Sequence, residues 1–452
     1  MMLSYWKLHK IPILLVLGSV LFYLVFAYDL RREDFIKLLS LFAALFFLFI
    51  KLIQFEKWNF KFLLVAGIAF RLVFIAATPN LSQDFYRFLW DGELIKLGVN
   101  PYLYTPDEII ANSLIQFKSM NTLYEGMGAL SGRHFSNYPP INQLLFFLSS
   151  WLGMGSIASS IVGMRLIIIG ADVGVLLIGR KLLQHAGRSI HQIFWYFLNP
   201  LVIIELTGNL HFEGVMLFLF LASIYLLVKS KIIYAAPVYA ASIMLKLVPL
   251  LFLPLLLKFL GVKKSLLFYI LVGSFCIVYL LPFYDPELVS NYTKTLELWF
   301  SNFEFNAGIY SVVKWIGVEY FDAKAWRLIA PYGTFVQVTT VVFITLLAFL
   351  RKNKTLPSLF SSMFLSLLVY YLLSTTVHPW YVIFLLVLGM FTTYRNVAIL
   401  WSATIILSYF AYSQPDFKPS TWLLGIEYLT VIGFFLYEIL KNHNIPASIR
   451  KK

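Results

Sequence analysis

Residues 11–28, IPILLVLGSVLFYLVFAY, carry no charge, and comparable apolar runs return near 35–53, 60–77, 160–183, 190–207, 212–229, 265–283, 328–350, 358–375, 378–393, 396–411 and 421–440. A helix rises ~1.5 Å per residue, so about 20 apolar residues cover the roughly 30 Å of a bilayer's hydrocarbon. Lys7 and Lys10 precede the first run as in a signal peptide, but no small-x-small cleavage site closes it, so it is expected to stay as the first span. The stretch 232–260 is interrupted by Lys246, Pro249 and Pro254, which predicts two short helices meeting at one face of the membrane. The expectation is an all-α polytopic membrane protein, one integral membrane domain over 1–452, with about 12 to 14 transmembrane helices.

Composition points the same way. Of 452 residues, 60% are hydrophobic and 13% charged, with a mean hydropathy of +0.79, whereas a soluble domain is roughly half apolar and a quarter charged. The aromatic share of 18% suits lipid-facing helices and rings at the two interfaces. A net charge of +14 would suit nucleic acid if it formed a patch. Instead the basic residues lie singly and in pairs between apolar runs, the pattern of cytoplasmic loops and anionic-lipid contacts. The single cysteine, Cys276, sits in an apolar run and reads as packing.

Residues 138–153 open with Pro139-Pro140 and are too short to span, so an interfacial or re-entrant helix is expected there. With the N-terminus inside, most of the 36 basic residues then fall in inner segments and most of the 22 acids in outer ones. Arg31 and Arg32, between the first two spans, are the exception. The chain divides into three spans (1–77), an outer loop with the re-entrant helix (78–159), the remaining spans (160–440) and a basic cytoplasmic tail (441–452). The outer loop alternates acids and aromatics and carries the turn Gly98-Val-Asn-Pro101, which predicts two short juxtamembrane helices. A second outer stretch, 284–327, with Asp285, Glu297, Glu304 and Trp315, is expected to form the other wall of a cleft.

The segment Ser82-Gln-Asp84-Phe-Tyr-Arg87-Phe-Leu-Trp90-Asp91-Gly-Glu93 reads as a helix capped by Ser82, with Asp84 in its first turn. Its spacing puts Asp84, Arg87 and Asp91 on one face. Helix-dipole stabilisation of the acid, with Arg87 as its partner, is the plain reading of those three. Inside the spans, Arg71 with Asp172 reads as a structural ion pair, while Arg165 and Lys246 lie closer to the outer surface.

The run Asp84-x-Tyr-Arg-x-x-x-Asp91-Gly-x5-Gly98-x-Asn100-Pro101-Tyr102, followed by Tyr138-Pro-Pro140, resembles the first outer loop of the GT-C membrane glycosyltransferases. It is most similar to bacterial mannosyltransferases that use polyprenyl-phosphate-mannose, and more distantly to the enzyme adding the first mannose of the GPI anchor. Asn199-Pro200, Gly208-Asn209-x-His211-x-Glu213, Lys246-Leu-Val-Pro249 and His378-Pro-Trp380-Tyr381 also resemble that family's landmarks, over roughly residues 60 to 395. The resemblance implies an inverting transfer of a hexose, mannose before glucose or arabinose, from a polyprenyl-phosphate donor to a glycolipid or glycan acceptor. It implies a bacterial inner-membrane enzyme whose site faces outward among membrane lipids.

By position, the resemblance makes Asp84 the catalytic base. The leaving group is already good, so the chemistry needs one carboxylate for the acceptor's proton and cations for the phosphate. Asp91 is the second candidate, as base or acceptor ligand, against a capping role. His378, Lys246, Arg165, Trp380 and Tyr381 are the expected donor-phosphate ligands. Arg87, Asn100, Tyr102, Tyr138, Asn209, His211 and Glu213 are expected at the acceptor or sugar, although helix capping also accounts for the Asn209 cluster. No cofactor is implied; a divalent metal is compatible with Asp84, Asp91, His211 and Glu213 but not demanded by their spacing. No glycine loop follows a strand, which disfavours a nucleotide-sugar donor. The alternative function is a transporter or flippase of a polyisoprenoid-linked glycan, for which two related halves are expected; acids gathered in one outer loop favour the enzyme.

Overall fold

A computed structural model describes residues 2–113, 115–301 and 303–444; most of the basic tail expected over 441–452 lies outside them. Among the described residues the chain is helical, with no strand and one isolated parallel bridge between Phe305 and Thr376. Helices α1 (Met2–Tyr28), α2 (Phe35–Glu56) and α3 (Phe60–Leu72) come first. Then follow α4 (Asp84–Lys96), α5 (Pro106–Ala111), α6 (Met120–Gly132), α7 (Pro140–Gly153) and α8 (Ile157–His185).

Among the described residues eight helices are long and apolar enough to cross a membrane: His9–Tyr28, Phe35–Glu56, Ile157–His185, Val262–Phe283, Ala325–Leu350, Leu356–Leu373, Arg395–Ser413 and Thr421–Lys441. The pair Pro200–Gly208 and Glu213–Val228, bent by 110°, is long and apolar enough only when its two arms are taken together. The expected 12 to 14 exceeds this because several predicted runs are interrupted. The 60–77 run stops being helical after Leu72, and 232–260 splits into Ile232–Ile243 and Val248–Leu260 as its prolines predict. The 190–207 run is broken at Pro200, whose missing N–H lets Asn199 cap the next turn at Leu201 N. From there the backbone widens into a π-helical turn, Ile203–Gly208.

The loop over 78–137 folds into three helices, α4 to α6, rather than two. A capping box between Thr105 and Glu108 starts α5, which accounts for the extra helix. Helix α4 is enclosed on nearly every side and crosses α7 closely: a Cβ on Gly92 would lie 2.5 Å from the Phe146 carbonyl oxygen. That approach lets Phe88 stack on Phe146 at 4.5 Å. Asn80 fastens the start of this layer to the end of α1, donating to the Phe26 and Leu30 carbonyls. Arg32, the charge that did not fit the inside rule, sits over the Tyr412 ring at 4.8 Å.

The expected buried pair is present. Arg71 Nε donates to Asp172 Oδ2 at 2.8 Å, with both side chains 0% exposed. Tyr196 OH donates to the other oxygen at 2.7 Å, and Arg71 Nη1 reaches the Gly67 and Phe197 carbonyls. These bonds tie α3, α8 and the 194–197 turn together, and removing one partner strands the other in an apolar core. Asp172→Ala is therefore expected to lower stability by about 3 to 5 kcal/mol, and Arg71→Met with Asp172→Leu to recover much of it. Thermal unfolding in detergent checks this; an unchanged unfolding temperature in Asp172→Ala would contradict the assignment.

Candidate active site

Asp84 opens α4. Ser82 Oγ accepts from the Asp84 N–H at 3.2 Å, while the flanking cap position is held by Gln83, whose amide donates instead to the Met127 carbonyl. The Asp84 side chain, 38% exposed, opens into a cavity of about 320 Å³, within the range of about 300–1,000 Å³ usual for small-molecule pockets. Arg87 and Phe88 of α4 line it, with Met127, Leu130 and Ser131 of α6. Four further segments complete the wall: Tyr138–Pro139, His211–Glu213, Lys246–Leu247 and His378 with Trp380 and Tyr381. Tyr292, Thr295, Leu296 and Leu298, from the helix Leu288–Ser301, close it, so the second predicted stretch does supply a wall.

Nine of the fourteen residues singled out from the sequence meet here: Asp84, Arg87, Tyr138, His211, Glu213 and Lys246, with His378, Trp380 and Tyr381. Lys246 Nζ lies 2.5 Å from Glu213 Oε1 and 6.0 Å from the Tyr381 ring centroid. His211 Nε2 lies 3.8 Å from Asp84 Oδ2, and its ring stacks on Trp380 at 3.7 Å. His378 stacks between Trp380 (4.4 Å) and Phe305 (4.8 Å) and leaves its buried Nδ1 without a hydrogen-bond partner.

The two histidines differ in charge. Burial opposes protonation of His211, but the facing Asp84 carboxylate, Glu205 beside its other nitrogen and the charge of Glu213 outweigh it, raising its pKa to about 9. Burial lowers that of His378 to about 3, against the pull of Asp84 and with the repulsion of His211 and Lys246. Burial also pushes the Asp84 carboxyl up, but the facing His211, with Lys246, brings it below its usual value. At neutral pH the wall therefore offers a carboxylate at Asp84, an imidazolium at His211 and a neutral imidazole at His378, with Lys246 among them.

Five expected site residues lie elsewhere. Asp91 is buried behind the cavity, accepting from Arg87 Nε (2.7 Å), Ser136 Oγ (2.5 Å) and Gln143 Nε2 (2.9 Å). Arg87 Nη1 also donates to the Ser131 and His134 carbonyls, so this cluster pins α4 to the 131–136 loop and α7. Arg165, expected at the phosphate, donates to the carbonyls of Ile75, Thr207 and Gly208 and does not line the cavity. Asn100 donates to Phe283 O and accepts from Tyr102 N, and Tyr102 OH donates to Tyr138 O. Asn209 donates to Glu205 and accepts from Leu81 N. Among the described residues no three His, Cys, Asp or Glu side chains converge as ligands for a metal.

Glu205 was passed over although an acid within the predicted 190–207 span is a signal in itself. Ser136 and Gln143 carried no such signal. The geometry separates the two candidate acids: Asp91→Ala is expected to lower stability by about 3 kcal/mol or more, as an uncompensated Arg87 stays buried. Asp84→Asn, at a partly exposed position, is expected to change it by less than about 1 kcal/mol. Equal losses in thermal unfolding would contradict the division.

The model of a family described as alpha-(1->6)-mannopyranosyltransferase, N-terminal domain, matches residues 35–261. That range holds Asp84, His211, Glu213 and Lys246, and leaves out His378 to Tyr381. A 159-residue stretch is 26% identical to alpha-(1->6)-mannopyranosyltransferase A of Mycobacterium tuberculosis, covering 35% of this chain and 29% of that protein. The match thus spans less than a third of the relative's length. With half the chain matched by the family, this protein belongs to the alpha-(1->6)-mannopyranosyltransferase family.

Proposed function

We propose that this membrane protein is an inverting mannosyltransferase that moves mannose from a polyprenyl-phosphate donor to a glycan or glycolipid hydroxyl on the outer side of a bacterial inner membrane. The observation that carries the reading is the pairing, in one cavity, of the Asp84 carboxylate with Lys246 and His378. The first suits a proton acceptor and the other two a phosphate. The family match and the mannosyltransferase relative support the sugar. An α linkage formed with inversion requires a β-linked donor.

In the step proposed, the acceptor oxygen bonds to the sugar's C1 as the bond from C1 to the phosphate oxygen breaks. Asp84 takes the acceptor's proton, and the electron pair leaves with the polyprenyl phosphate. Lys246, held by Glu213, supplies charge to the departing phosphate, and the neutral His378 ring donates a hydrogen bond. The acceptor oxygen becomes strongly acidic as its bond to C1 forms, so the base need not be strong. It needs to be ionised and aimed, which the lowered pKa of Asp84 supports.

The test is transfer from radiolabelled polyprenyl-phosphate-mannose to membrane acceptors by purified protein in liposomes. Asp84→Asn is expected to lose at least about 100-fold in rate, and Lys246→Met at least about 10-fold. Equal transfer by Asp84→Asn would remove it as the base, and labelled lipid changing leaflet without transfer would favour the transporter. For orientation, a cysteine at the exposed Asn112 is expected to react with an impermeant thiol reagent from outside; protection there with labelling only after permeabilisation would reverse the topology.

A further inference from the structure

Glu205 lies behind the cavity rather than in its lining, in an apolar segment, with its side chain 0% exposed. A carboxylate so placed needs partners for each oxygen. Tyr409 OH donates to Oε1 at 2.7 Å, Asn209 Nδ2 donates to Oε2 at 3.1 Å, and His211 Nδ1 lies 3.4 Å from Oε2. The backbone around it is unusual. Glu205 belongs to the π-helical turn Ile203–Gly208, a form that gathers at functional sites. Leu210, just before His211, takes φ +63°, a left-handed conformation that a leucine adopts only under constraint.

The constraint aims His211. Its Nδ1 meets the Glu205 carbonyl at 3.0 Å, and a carbonyl only accepts, so that nitrogen carries a hydrogen. Its buried Nε2 has no hydrogen-bond partner and faces the Asp84 carboxylate at 3.8 Å. A neutral ring would therefore set a lone pair against a carboxylate, whereas a doubly protonated ring meets acceptors on both sides. Its stacking on Trp380 suits a cation.

We infer that Glu205 is a positioning residue: it holds His211 as an imidazolium whose Nε2–H orients the Asp84 carboxylate, leaving the second Asp84 oxygen to receive the acceptor's proton. This rests on the reading of Asp84 as base. The charged groups that act on the imidazole are Asp84 of α4 at Nε2, Glu205 at Nδ1, and Glu213, with Trp380 stacked on the ring and His378 beyond it; Lys246 acts on Asp84 and His378. Tyr409 and Tyr412 stand behind them in the field of Glu205. The raised pKa of His211, about 9, agrees with this arrangement.

The consequence is a bell-shaped pH profile. The acid limb reports Asp84, which must be ionised, and the alkaline limb reports His211, which must keep its proton and loses it as pH rises through about 9. In Glu205→Gln the imidazolium loses its buried counter-charge, so His211 deprotonates at lower pH, while Asp84 titrates far below that range and still faces a protonated ring. The alkaline limb is expected to move down by about one pH unit or more, and the acid limb not to move up. kcat should fall about tenfold or more while KM for the donor changes little, because orientation rather than donor binding is lost. Glu205→Asp, which keeps the charge, should restore part of the profile.

The experiment records pH profiles of mannosyl transfer in liposomes for the wild type, Asp84→Asn, Glu205→Gln and Glu205→Asp. Transfer by the wild type, loss in Asp84→Asn and a narrowed bell in Glu205→Gln support the inference. Loss in Asp84→Asn with the alkaline limb of Glu205→Gln where the wild type has it overturns it and leaves the base in place. No transfer by the wild type, or equal transfer by Asp84→Asn, fails the underlying reading instead. Should Glu205→Gln not fold, histidine 15N spectra of the wild type decide: among its 7 histidines, the signal removed by His211→Gln should show both ring nitrogens protonated at neutral pH, and a neutral ring overturns the inference.

Discussion

A helix that breaks inside an apolar slab frees carbonyls and N–H groups that lipid cannot satisfy, and this protein places its breaks where protein groups answer them. Arg165 takes the carbonyls of Ile75, Thr207 and Gly208, where α3 and the π turn give out. Asn142 donates to Leu245 O, and Tyr239 OH to Pro249 O, at the break around Lys246. The third break, between Leu373 and Pro379, is closed by Phe305, which donates to Thr375 O and accepts from Val377 N. The three breaks and the start of α4 therefore meet in one place. The cavity is what remains between them: His211, Lys246 and His378 enter it from the breaks, and Asp84 and Arg87 from α4.

Charge in and behind that cavity alternates. Glu205, His211 and Asp84 form one run of acid, cation and acid, and Glu213 with Lys246 forms another. His378, sandwiched between Phe305 and Trp380, stays uncharged. The two histidines thus differ in charge because one faces acids at both ring nitrogens and the other lies between aromatic rings. On the proposed function, the added negative charge of a lipid phosphate meets Lys246 while His211 remains committed to the base.

Much of this was legible before any coordinates. The apolar runs announced a helical membrane protein, Pro249 and Pro254 marked a broken span, and the acid-rich motif from Asp84 to Asp91 led to the cavity. Arg71 and Asp172 were recognisable as partners because each would otherwise be an isolated charge in an apolar run. What stayed hidden depends on direction rather than identity. Arg165 and Lys246 are both cations in apolar stretches, yet one turns to broken-helix carbonyls and the other to the cavity. Asp84 and Asp91 share a helix face, yet Asp91 is claimed by Ser136 and Gln143, residues that no local pattern joins to it. Glu205 was visible as an acid in an apolar run, but its partner Tyr409 is 204 residues away. The interruptions of the apolar runs stayed hidden for the same reason: composition records apolar length, not where a turn such as Ile203–Gly208 interrupts it.

The central claim is that Asp84 and Lys246 face the reacting bond of one bound lipid-phosphate sugar. A density map of the protein with a non-transferable polyprenyl-phosphate-mannose analogue tests it most directly. The account places the analogue's phosphate within hydrogen-bond reach of Lys246 or His378 and an acceptor-sized space between Asp84 and the sugar's C1. Density for the phosphate in any other part of the molecule, with this cavity empty, would contradict it.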